Sequence, residues 1–127
     1  GPPLDEEERD LLARLGDADA EERAHAASLL GKRRCIAAFA PLVDALGDPH
    51  PDVRRYAADA LERLGDRRAV APLLKLLPDP DDWVRQWAAA ALHRLGESPH
   101  RHGFSGPFTV HTEAGEELVV EEDAEQA

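Results

Sequence analysis

The chain has 127 residues, enough for one domain, with a formal net charge of −11 and a single cysteine, Cys35. A lone cysteine excludes an internal disulfide framework and fits a reducing compartment, and the acidic balance lacks the positive field behind non-specific nucleic-acid binding, so no nucleic-acid partner is expected. No apolar run approaches the roughly 20 residues that cross a bilayer and no charged-then-apolar segment opens the sequence, so no membrane contact and a cytoplasmic location are expected.

Asp5, with Glu8 three residues on, has the spacing of a capping box, and it opens a helix that should run to Leu15 with Leu11, Leu12 and Leu15 inward. Further helices are expected at about 19–32, 35–46, 51–64, 68–77 and 81–95, divided by Gly-Asp, Asp-Pro and Gly turns. They form three pairs. In the last helix, Val84, Ala88, Ala91, Leu92 and Leu95 fall within one arc at 100° per residue and mark the buried stripe. Lys32-Arg33-Arg34 and Arg67-Arg68 sit at helix ends and turns, where basic side chains complement the macrodipole, and read as solvated charges.

The pairs repeat. Sliding 46–66 onto 77–97 matches 12 of 21 positions, and placing 15–45 on 46–76 matches 11 of 31. A fixed period of 31 residues means stacked supersecondary units. The shared phrase, Asp-Pro-x-x-x-Val-Arg-x-x-Ala-Ala-x-Ala-Leu-x-x-Leu-Gly followed by Ala-Val-x-Pro-Leu-Leu, resembles the short HEAT-like repeats of phycobilin lyases and many bacterial scaffold proteins. The resemblance covers residues 4–98 and implies an all-α, right-handed α-α superhelix of three helix pairs, with repeats at about 4–33, 34–65 and 66–97. It also implies that Arg23, Arg54 and Arg85, each six residues after Asp17, Asp48 or Asp79, join adjacent repeats as a ladder. For function it implies less, since such repeats serve as scaffolds, lyase subunits, hydroxylases and a class of DNA glycosylase.

Residues 99–127 leave the repeat and hold seven acids against one base. Phe108 to Thr112 alternates like a strand, Glu113 to Glu116 can turn, and Glu117 to Glu121 can pair back, giving a hairpin at 108–121. Because an isolated hairpin is marginal in water and the last helix has no following repeat, Phe104, Phe108, Val110 and Leu118 or Val120 are expected to cap the stack. They would do so by folding back in cis or by swapping into a second copy, which would make a homodimer through the C-terminal end.

The resemblance places the second helix of each pair on the concave face. There the variable positions are Glu21, Ala24, His25 and Ser28, then Asp52, Arg55, Tyr56 and Asp59, then Trp83, Gln86, Trp87 and Ala90. The only Tyr and both Trp residues thus share one surface, of the composition that binding hot spots favour. Arg55, Tyr56, Asp59, Trp83, Gln86 and Trp87 are the expected protein-binding residues, competing with a plain edge-of-core role for Tyr56 and Trp87. His93, Glu97, His100 and His102 form an alternative metal-ligand set, with His93 and Glu97 at i,i+4. Cys35 lies at a helix start, a position that lowers a thiol pKa, yet no His adjoins it in the repeat frame and it occupies an ordinary turn position equivalent to Asp66. The expectation is therefore a non-catalytic protein-interaction or scaffold module with a protein partner and no cofactor. The alternative is a small enzyme or lyase-type subunit taking a cofactor, chromophore or metal in the same cleft.

Overall fold

The computed structural model describes residues 3–121. The acidic end of the extension, 122–127, lies outside the described residues. Six α-helices, α1 Glu6–Arg14, α2 Ala20–Lys32, α3 Phe39–Ala45, α4 Pro51–Leu64, α5 Val70–Leu74 and α6 Asp82–Arg94, are followed by strands β1 Phe108–His111 and β2 Glu117–Val120. The capping box forms: Asp5 accepts from the Glu8 N–H at 2.8 Å, and Glu8 accepts from the Asp5 N–H at 3.4 Å. Asp19 caps α2 by accepting from the Glu21 N–H and Asp81 caps α6 by accepting from the Val84 N–H, each with its own side chain alone, and Pro51 starts α4, where its missing N–H costs nothing.

Two helices are shorter than expected. In place of 35–46 and 68–77, the chain makes 3-10 turns at Ile36–Ala38 and Arg67–Ala69 before entering α3 and α5. Pro41 and Pro72 explain this, because a proline lacks an N–H and is tolerated only in the first turn of an α-helix; each is the third residue of its helix. After Leu74 the chain tightens into turns, with the Lys75, Leu76 and Leu77 N–H groups donating to the Pro72, Leu73 and Leu74 carbonyls, before Pro78.

The second helices carry the stack: α2 packs on α4 and α4 on α6, with α1, α3 and α5 behind them. Gly31 sets the closeness of the first interface. A Cβ there would lie 2.7 Å from the Ala60 Cα, so only glycine lets α2 and α4 approach this far. Leu11, Ala27, Leu30, Leu42, Ala57, Leu61, Leu73, Val84, Ala88 and Leu92 form one continuous core, which includes the expected α6 stripe.

The Arg–Asp ladder spans the repeats. Arg23 grips the Asp48 carboxylate at 2.8 and 3.0 Å while donating to the Asp17 carbonyl, and Arg54 does the same with Asp79 at 2.9 and 3.0 Å and the Asp48 carbonyl. Each Arg thus reaches back six residues and forward 25, which is why the motif recurs every 31. The same carboxylates hold their own turns, since Asp48 accepts from the His50 N–H and Asp79 from the Asp81 N–H. Arg85, on the last rung, finds the Asp79 carbonyl but, among the described residues, no forward acid, and turns to Asp82 at 3.0 Å.

Where a fourth repeat would stack, the hairpin does. Phe108 pairs with Val120, Thr109 with Val119, Val110 with Leu118 and His111 with Glu117. The turn closes through Gly115 at φ 84°, whose N–H donates to the Thr112 carbonyl, while the Thr112 N–H donates to the Glu116 carbonyl. β1 lies on α6, with Phe108 only 1% exposed and Val110 and Phe104 also buried. Docking in cis therefore replaces the open end. Of the two β2 candidates, Val120 packs against the core, whereas Leu118 is 50% exposed because β2 is the outer strand.

Candidate functional site

The residues that vary between repeats on α2, α4 and α6 converge on one face. Tyr56 and Trp87, equivalent in the repeat, meet edge to face with ring centroids 5.5 Å apart. The Arg55 guanidinium lies over this pair and over Trp83, 4.9 Å from the Tyr56 ring and 5.3 Å from each indole. Tyr56 borders the core, as the edge-of-core reading holds, yet Trp83 stands at the rim with 62% of its surface exposed.

A groove of about 620 Å³ opens beside this cluster, between Ser28 and Lys32 of α2, Tyr56, Asp59 and Glu62 of α4, Trp87 and Arg94 of α6, and Thr109 and His111 of β1. A smaller hollow of about 330 Å³ adjoins it on the side of Glu21, His25, Asp52 and Arg55. Of the six expected binding residues, Arg55, Tyr56, Asp59 and Trp87 line these two hollows and Trp83 touches them through Arg55. Gln86 is diverted: its side-chain amide donates to the Pro107 carbonyl at 3.4 Å and helps seat the hairpin. Ala24 is largely covered, leaving His25 and Glu21 exposed beside it.

Ion pairs set the groove's charge. Asp59 pairs with Arg63 at 3.0 Å, Glu62 with Arg94 at 3.6 Å and Glu113 with Arg34 at 3.0 Å. Burial, reinforced by Asp59, pushes the Glu62 carboxyl above its usual range despite Arg94 and Arg63. Arg94 also donates to the His111 carbonyl at 3.3 Å, tying α6 to β1.

The basic clusters stay solvated at helix ends and turns, as expected, with the Arg34 side chain 62% and that of Arg68 73% exposed, and they make specific contacts as well. Arg33 bridges to Asp5 and Glu7 of the first helical turn, Arg34 crosses to the hairpin tip, Arg67 donates to the Leu95 carbonyl, and Arg68 lies over the Phe39 ring. Arg34 reaches the hairpin from a left-handed backbone, φ 52°, that sequence alone does not signal in a non-glycine residue. Thr109, His111 and Glu113 likewise escaped the sequence reading, because they lie outside the period that identified the face.

The alternative metal set does not assemble. His93 stacks on Phe108, His100 accepts or donates at the Gly106 carbonyl, and His102 binds Glu97 at 3.0 Å, holding that carboxyl below its usual range. Among the described residues no three His, Cys, Asp or Glu side chains converge on a metal-sized point. Cys35 is buried, and burial, then a hydrogen bond with Glu8, raises its thiol pKa, the reverse of what its helix-start position suggested. Among the described residues no helix is long and apolar enough to cross a membrane.

Comparison with known proteins agrees with this architecture. The family profile described as HEAT repeats matches residues 8–93. Among similar solved structures is a chain in the complex of CpcE and CpcF of phycocyanin lyase from Nostoc sp. PCC7120, at 38% identity and a TM-score of 0.66. The match covers 75% of this chain but 38% of that one, so this chain spans well under half the length of its structural relative. No curated protein matches significantly.

Proposed function

From the premise that the chain belongs to the HEAT-repeat family, we propose that it is a non-catalytic interaction module whose polypeptide partner docks across Arg55, Tyr56, Trp83 and Trp87 and enters the groove beside Asp59. The observation that carries this reading is Trp83. Its indole is the largest exposed apolar side chain among the described residues, yet it is held by Arg55 beside two other aromatic rings rather than scattered on the surface. Rigid aromatic side chains of this kind bury large area on binding at small entropic cost. The stack does not need Trp83, since Val84 and Ala88 supply the core contact of the same helix.

The test is capture of a partner from the source organism's lysate by the intact protein and by a Y56A/W83A/W87A variant whose fold is checked by circular dichroism. A polypeptide retained only by the intact protein, and rebinding it when purified, supports the face as the docking site; equal retention by both would overturn it.

The likeness to a phycocyanin lyase complex favours a second reading, in which this chain is a lyase-type subunit and the groove receives a chromophore. Visible absorbance of the purified protein, lost in the same triple variant, would favour it over the first.

A further inference from the structure

Docking of β1 on α6 leaves the other strand of the hairpin open. β2 is paired on one side only, and Glu116, Glu117, Leu118, Val119 and Glu121 are exposed. In an antiparallel ladder, residues that exchange hydrogen bonds alternate with residues that do not. The Thr112 N–H donates to the Glu116 carbonyl, so in this register Val110 exchanges bonds with Leu118 and Phe108 with Val120. Glu117 and Val119 therefore turn their N–H and C=O groups outward, and no other backbone group among the described residues bonds to them.

Such an edge is a template for another strand, and proteins usually blunt it with proline, lysine, a bulge or a covering element. β2 has neither proline nor lysine, and its register with β1 runs through four pairs without a bulge. What flanks this edge is acid. Directly opposite residues share a face, so Leu118 and Val120 lie on the α6 side with Val110 and Phe108, while Glu117 and Val119 share the other face with His111 and Thr109. Val119, 63% exposed, stands between Glu117 and Glu121 on that face. No Lys or Arg occurs from 112 to 121, and the nearest cationic group is His111, 3.4 Å from Glu117. A second copy of β2 in full antiparallel overlap would set Glu117 against Glu121 at both ends, and like charges directly opposite are destabilising. A strand with an apolar centre and a basic residue at each end fits both the backbone edge and its charge.

We infer that β2 is a second interaction site, separate from the aromatic face, to which a partner polypeptide adds an antiparallel strand. Its apolar centre lies beside Leu118, Val119 and Val120, and its Lys or Arg residues lie opposite Glu117 and Glu121. Main-chain hydrogen bonds hold the strand, and the end charges select it.

The test uses the full chain at low salt with two capped peptides, Thr-Lys-Val-Ile-Val-Lys-Thr and the same sequence with Glu in place of Lys. In the free protein the Glu117 and Val119 amides are expected to exchange with solvent faster than those of Leu118 and Val120. The Lys peptide should slow both, and should bind about 10-fold or more tightly than the Glu peptide. E117K/E121K should reverse that preference, with circular dichroism and Tm checking the fold. V119P removes one outward N–H and none from the β1 ladder, and should weaken binding of the Lys peptide. Methylating the central Ile nitrogen of the peptide removes a bond to the same edge from the other side, and should weaken binding even if V119P unfolds the hairpin. Equal binding of the two peptides, binding that leaves the Glu117 and Val119 amides unprotected, binding indifferent to the methyl group, or no binding at millimolar peptide would each overturn the assignment. So would protection that rises with protein concentration alone, which would make a second copy the occupant. The aromatic face would stand in every case, since none of these readouts depends on it.

Discussion

The inner interfaces of the stack and its C-terminal end meet the same physical need by different means. Between the first and second repeats, and between the second and third, an Arg side chain clamps a buried or half-buried Asp of the next unit, Arg23 to Asp48 and Arg54 to Asp79. At the C-terminal end Arg85 has no such acid among the described residues, and the closing contact is aromatic instead: Phe108 packs edge-on against Phe104 and His93 and at a tilt against His100. A periodic interface can reuse one polar device because each unit presents the same Asp at the same place. An end has no next unit, so it must cover apolar surface with whatever chain follows.

The largest effect should come from the end. Phe108→Ala is expected to cost about 3–5 kcal/mol of folding free energy, the usual range for emptying a buried aromatic position, measured by urea denaturation. Against a total stability of roughly 5–15 kcal/mol, a loss under about 1 kcal/mol would mean that the hairpin does not close the stack.

The ladder offers a sharper contrast within one residue type. Arg54→Ala leaves Asp79, 8% exposed, without its guanidinium and should cost about 3 kcal/mol or more. Arg85→Ala removes one carbonyl contact and an exposed pair, and should cost about 1 kcal/mol or less. Equal losses in the two variants would refute the distinction between an inner rung and an open one.

The smallest effect is in acid. Burial opposes ionisation of Asp48, but the Arg23 hydrogen bond and the His50 N–H outweigh it and hold the carboxyl below its ordinary value. Its folded pKa is therefore lower than its unfolded one, so the unfolded chain binds the extra proton first. The stabilisation is fully present above the unfolded value of about 4 and is lost as pH falls through the folded one. Asp48→Asn should flatten the decline of Tm below about pH 4 relative to the wild type; an unchanged acid slope would remove Asp48 from the account.

The variable face illustrates where periodic reasoning works. Arg55, Tyr56, Asp59 and Trp87 share a surface because the HEAT-like resemblance implies second helices side by side, and the repeat frame with residue spacing on a helix then says which side chains face the same way. Gln86 has the right spacing and still faces a different task, because the hairpin carbonyl of Pro107 reaches it first. The frame contains no information about that carbonyl.

The sequence by itself determined the helix pairs, the cap at Asp5 and the strands of the hairpin, and the resemblance carried by its repeat implied the ladder, since each depends on residues near one another or repeated at a fixed interval. Only the tertiary structure decided that β1 lies on α6, that Arg34 crosses to Glu113, that His93, His100 and His102 part company, and that the buried Arg55 Nε is left without a hydrogen-bond partner. Those outcomes depend on which non-repeating groups meet once the stack has formed, and a contact between residues 79 positions apart, as at Arg34 and Glu113, leaves no trace in local spacing.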